Sequence, residues 1–62
     1  MQVFTGAQAQ QIILKNDYPK DSIGVCKAMG GYAYWFWDGF TFDSGVMETE
    51  EMALRTAKSN WR

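Results

Sequence analysis

Histidine is absent from this 62-residue sequence, and cysteine and proline each occur once. Positive charge is not in excess either, since six Lys and Arg stand against seven Asp and Glu. Each shortage excludes something. Without histidine, the commonest general base and the ordinary zinc ligand set are missing. A lone Cys26 cannot close an intrachain disulfide, and Pro19 punctuates only the polar turn "NDYPKDS". A net charge of −1 argues against association driven by phosphate contacts. The longest unbroken apolar stretch, "YAYWFW", falls far short of the ~20 residues that a membrane-spanning helix requires. The start, "MQVFTGAQAQ", has neither a basic nor an apolar run, so the expectation is a cytoplasmic chain with no cleaved leader.

What is present is aromatic bulk. Residues 32–42, "YAYWFWDGFTF", hold seven aromatic side chains in eleven positions around an Asp-Gly pair. A chain this short can bury only about 60% of its unfolded surface, so each large side chain weighs on stability. No repeat, linker or low-complexity tract divides it, and residues 1–62 are expected to form one α+β domain.

Local signals give an order of elements. Thr5 followed by Gln8 has the spacing of a capping box, and Ala9, Ile12 and Ile13 then fall on one face of a short helix. "IGVCKAM", residues 23–29, fits a strand, with Gly30-Gly31 as a tight turn into a second strand, Tyr32 to Trp37. Asp38-Gly39 is a strong hairpin signal, and a third strand is expected from Phe40 to about Asp43. Thr49 is a suitable N-cap for a closing helix with Glu50 and Glu51 in its first turn. Ala53, Leu54, Ala57 and Trp61 form its apolar stripe, and Glu51 can pair with Arg55 across one turn. The predicted fold is α-β-β-β-α, a three-stranded antiparallel sheet packed on one face by two helices.

Two-residue turns would pair Trp37 with Phe40, Trp35 with Phe42, Cys26 with Trp35 and Ala28 with Ala33. Trp35, Trp37, Phe40 and Phe42 then share a face with the small residues Gly24, Cys26, Ala28 and Ala33, and this face is the expected core. The opposite face carries Val25, Lys27, Met29, Tyr32, Tyr34, Phe36, Thr41 and Asp43. With both helices placed on the first face, Met29, Tyr32, Tyr34 and Phe36 would remain exposed beside Lys27 as a patch of interface character.

The α-β-β-β-α order, with the spaced alanines of "EEMALRTAKSNW", resembles the double-stranded RNA-binding domain over the whole chain in topology. That family grips phosphates with a lysine cluster at the start of its last helix, whereas Glu48, Thr49, Glu50 and Glu51 occupy the matching positions here. The order also resembles the three-strands-plus-helix domain at the N-termini of some phage integrases. The DNA-reading sheet of that family would correspond to one offering aromatics and only Lys27 for phosphate. Arg55, Lys58 and Arg62, three and four residues apart, are the remaining candidates for nucleic-acid contact, and they also suit a helix C-terminus.

No enzymatic constellation emerges. The carboxylates lie in turns or at a helix start, "DSGVMETEE" lacks the spacing of a calcium loop, and no cofactor or metal is expected. Cys26, placed mid-strand, has the character of a small core residue. The functional expectation is a non-enzymatic module whose partner-binding residues are Lys27, Met29, Tyr32, Tyr34 and Phe36. The partner would be another protein or, in a homodimer, a second copy of the chain. In form, a small self-contained acidic domain of this kind resembles phage-encoded accessory proteins that bind and inhibit host factors. Nucleic-acid binding, by base stacking on the same aromatics or through the basic helix face, is the alternative.

Overall fold

The computed structural model describes residues 1–60. The chain runs β1 (Gln2–Thr5), α1 (Gly6–Lys15), β2 (Ser22–Ala28), β3 (Gly31–Trp37), β4 (Phe42–Met47) and α2 (Glu50–Ser59). The strands form one mixed sheet in the order β1-β2-β3-β4, with β1 parallel to β2 and the other pairs antiparallel. No helix among the described residues is long and apolar enough to cross a membrane.

The α+β class agrees with the sequence, but the sheet has a fourth strand beyond the three predicted. β1 is only four residues long and passes directly into α1 at Gly6, which takes a left-handed φ of 60°. So short a segment shows no period of its own, and it becomes a strand by pairing Val3 with Ile23 and Phe4 with Gly24. Because β1 and β2 run parallel, the connection between them must cross back over the sheet, and α1 makes that crossing. Thr5 is the N-cap of α1 but makes no side-chain cap, so the capping box is not formed. Asn16 ends the helix in a left-handed conformation, φ 55°, with its N–H donating to the Ile12 and Ile13 carbonyls.

The first hairpin has a two-residue turn as expected, but one residue earlier than Gly30-Gly31, and the second has a four-residue loop in place of the Asp38-Gly39 turn. In the first, Met29-Gly30 forms the turn, Gly30 takes a φ of 83°, and Ala28 pairs with Gly31. In the second, the Asp38 carboxylate accepts from the backbone N–H groups of Phe40 and Thr41, each at 2.7 Å. That Asx-type closure holds residues 38–41 as a loop, so Trp37 pairs with Phe42 in place of Phe40, and Trp35 with Ser44 in place of Phe42. Cys26 likewise meets Ala33 in place of Trp35. Each register moves by an even number of residues, so the strand residues expected to share a face still do. Phe40 leaves the core altogether and is 97% exposed.

The placement of the helices is the main correction. They lie on opposite faces of the sheet. Ala9 of α1 packs with Cys26 and Trp35, joined by Phe4, Ile12, Ile13, Tyr18 and Trp37. Ala53 and Ala57 of α2 pack with Ile23, Val25, Tyr34 and Phe36, joined by Tyr32, Met47 and Leu54. A strand alternates its side chains, so β3 must be aromatic on both faces to supply a core to each. The one-faced arrangement suggested by the RNA-binding-domain order is not the one adopted.

At the centre of the first core, Trp35 is fully buried across the sheet from Gly24. A Cβ built at Gly24 would overlap the benzo ring of the indole. Gly24→Ala is therefore expected to destabilise the fold by roughly 3 kcal/mol or more, since neither ring nor backbone has room to yield. Gly30→Ala meets open space and should cost only about 1 kcal/mol, from its left-handed φ. Urea denaturation of both variants checks this, and equal losses would overturn the steric account.

Candidate functional site

The five residues expected to form a partner-binding patch are divided by the fold. Tyr34 and Phe36 lie beneath α2, at 6% and 1% exposure, and serve as core. The physical reason is that α2 returns over their face, and its small Ala53 and Ala57 let the helix approach the aromatic rings closely. Tyr32 is half-buried at the margin of the same cluster, across from Met47. Lys27 is exposed beside Tyr32 in the cross-strand row, and Met29 stands at the turn tip, 99% exposed. Only the hairpin end of the expected patch is accessible.

The basic candidates are less separated. Arg55 and Lys58 are both exposed on α2, in a shallow groove with Glu51, Leu54 and Ser59. Arg55 Nη2 donates to Glu51 Oε1 at 2.8 Å, so a carboxylate already occupies this face. Arg62, like Trp61, lies outside the described residues. Thr49 caps α2 as expected, its Oγ1 accepting from the Met52 N–H at 3.1 Å, with Glu50 and Glu51 in the first turn. Burial pushes the Cys26 thiol above its ordinary pKa, which disfavours the reactive thiolate and keeps Cys26 a packing residue.

An accessible surface does exist, on the face that carries α1. That helix covers β1 and β2 and, with Phe4 and Tyr18, buries Trp35 at the centre of β3, leaving β4 and the two ends of that face of β3 partly open. The uncovered half presents Ala33 and Trp37 from β3 and Phe42, Ser44 and Val46 from β4. Phe42 is 44% exposed and Val46 56%. β4 is also the outer strand of the sheet, so one of its backbone edges has no neighbouring strand. Its single charged residue, Asp43, belongs to the other face, where it accepts from Asn60 Nδ2 at 3.1 Å. The open side of β4 therefore carries no charge and no proline, the two common guards against strand addition.

Sequence reasoning misses Val46 because "SGVM" reads as a loop between the Asp-Gly turn and the Thr49 cap. A detectable signal is there, in the alternation of Phe42, Ser44 and Val46 with Asp43, Gly45 and Met47. Glycine at 45 is accounted for by Tyr34, whose ring lies over it. A Cβ there would come within 3.0 Å of the phenol oxygen.

Burial, and secondarily the charge of Asp43, raise the Tyr34 phenol above its ordinary pKa. The folded state thus holds this proton more tightly than the unfolded chain does. The associated stability is intact below pH ~10 and is lost as pH climbs through the raised folded value. Tyr34→Phe is expected to keep the fold and to flatten that alkaline loss. Urea midpoints of the two chains compared at about pH 8 and pH 11 provide the check, and parallel losses would assign the effect to other groups.

Comparison with known protein families, curated proteins and solved structures returns no match, so the functional reading rests on the geometry of this chain alone.

Proposed function

We propose that the chain is a small, non-enzymatic protein-binding module that docks its partner on the β4 edge and the open half-face beside it. The observation that carries this reading is the apolar side of β4, Phe42 and Val46 flanking Ser44, at an unpaired sheet edge. Backbone groups of an edge strand provide affinity for an extended segment, and alternate side-chain positions provide selectivity. Of the patch expected on sequence grounds, the exposed Met29 stands at the β2–β3 turn near the Val46 end of this surface, whereas Tyr32 belongs to the opposite face, beneath α2. Apolar bulk near an edge has ordinary causes in a small domain, but most of the bulk here is already used in two cores, and this part is left over.

The same edge suits a second copy of the chain. Antiparallel self-pairing centred on Ser44 would set Phe42 against Val46 and Asp43 against Gly45, opposing no like charges. Nucleic-acid binding through Arg55 and Lys58 draws less support, because Glu51 shares their groove.

Val46→Lys tests the surface directly. Val46 is exposed on an outer strand, so stability should change by no more than about 0.5 kcal/mol. The expected result is that wild-type protein recovers peptides with alternating apolar residues from a displayed random library, while the variant recovers none. Sedimentation equilibrium at low and high salt adds the homodimer arm: a salt-insensitive dimer abolished by Val46→Lys would place a second copy on this edge. Peptide recovery and association state both unchanged by the substitution would overturn the edge as the docking surface.

A further inference from the structure

At the end of the open half-face, where the β3–β4 ladder closes, Tyr18, Trp37 and Phe42 surround a shallow hollow whose remaining wall is Asn16 and Asp17. Tyr18 and Phe42 have ring centroids 4.8 Å apart at 57°, and Trp37 and Phe42 6.3 Å apart at 64°. The rings are inclined to one another and pack in contact, and all three line the hollow. Tyr18 is held in place from behind by an edge contact with Trp35, 5.3 Å away at 61°. This part of the site is therefore rigid before any ligand arrives.

The groups that line the hollow carry charge of one sign, and the nearby Lys20, whose stem lies against Gly39 of the β3–β4 loop, is not among them. Aromatic faces are the negative part of the ring quadrupole and attract a cation within about 6 Å of the centroid. Asp17 adds a carboxylate that makes no ion pair among the described residues. The C-terminus of α1, capped at Asn16, contributes the negative end of a helix dipole. Lys15 in the last turn is the one nearby positive group on that helix, and it is exposed and does not line the hollow.

We infer that this hollow receives the alkylammonium head of a lysine side chain from the protein partner, and that N-methylation of that lysine tightens the contact. Methyl groups lower the cost of removing the ammonium from water while leaving its charge, which suits a site of three rings and one carboxylate. A shallow hollow fits the tip of a side chain better than a free small molecule, which would need most of its surface enclosed. Phe42 is shared between the hollow and the β4 edge, so the inference rests on the edge-docking reading for its choice of a protein ligand.

The test is an NMR titration of the full chain with N-acetyl-trimethyllysine methylamide, its unmethylated lysine counterpart, its uncharged tert-butyl isostere, and tetramethylammonium chloride. The unmethylated counterpart should bind several-fold more weakly than the trimethylated derivative, and equal binding of the two would overturn the effect of methylation. The trimethylated derivative should shift the Trp37, Tyr18 and Phe42 resonances and bind about tenfold more tightly than the isostere. It should also bind more tightly than tetramethylammonium, which lacks the lysine stem. Asp17→Asn, an exposed and unpaired position, should weaken it several-fold without changing the fold, and Phe42→Leu should abolish the preference for charge. Equal binding of isostere and cation, or no shift of the three rings at tens of millimolar ligand, would overturn the assignment. Preference for tetramethylammonium would overturn the partner lysine as its source. Val46→Lys separates the two proposals: its failure to block peptide docking would refute the edge reading, and cation binding in that variant would be judged by the same ring shifts.

Discussion

The core beneath α1 is arranged around one indole. Trp35 is wholly buried, crosses the sheet over Gly24, and donates from Nε1 to the Ser22 hydroxyl at 2.9 Å. Ser22, itself fully buried, donates its own proton to the Pro19 carbonyl. Large, small and polar residues thus meet in one place, and each is required by the others. Glycine leaves the volume the ring fills, and serine satisfies the one polar atom that tryptophan brings into the core. The chain reversal through Pro19 accepts the last hydrogen bond. Phe4 and Tyr18 then pack against the same ring, with centroids 6.0 and 5.3 Å away, which ties β1 and the loop after α1 to the sheet.

A second layer repeats the logic with the sizes exchanged. Beneath α2 the bulk is on the sheet, in Tyr34 and Phe36, and the helix supplies alanines. Two thin cores replace one thick one. With so few residues, neither helix alone could cover a sheet that is apolar on both sides, and each face takes a separate helix. The price is coverage: α1 spans β1 and β2 and does not extend over β4.

Much of this is legible in the residues. The closing helix with its Thr49 cap, the β2–β3 hairpin and the sharing of faces by Trp35, Trp37 and Cys26 follow from capping chemistry and the strand period. What misleads is treating one face as core and the other as surface. Period-two patterning states which side chains point together, but not how many faces are covered, and "YAYWFW" carries that ambiguity because it is apolar in both phases. β1 is invisible for a different reason. Its four residues acquire strand geometry only by pairing with β2, a contact that lies far off in sequence. The second hairpin turns on Asp38, whose side chain competes for the backbone donors a tight turn would use. Of the expected patch, Met29 and Lys27 do lie at the surface, whereas Tyr34 and Phe36 point inward because α2 returns over them, a path that no local pattern encodes.

The open half-face follows from the same geometry that buries Trp35. A parallel β1–α1–β2 unit fixes α1 over the first two strands, and the connection after it, residues 16–21, must descend to begin β2. On the way Tyr18 reaches across to Trp35 and Phe42, and Lys20 lays its stem against Gly39 of the β3–β4 loop. Asp43, the one charge on β4, is held on the opposite side by Asn60 and cannot screen this edge. The surface beside Phe42 is thus bounded by a fixed loop on one side and an unpaired strand edge on the other. Such a surface is set by the packing of the core, so a ligand arriving there would meet rings and backbone already in position.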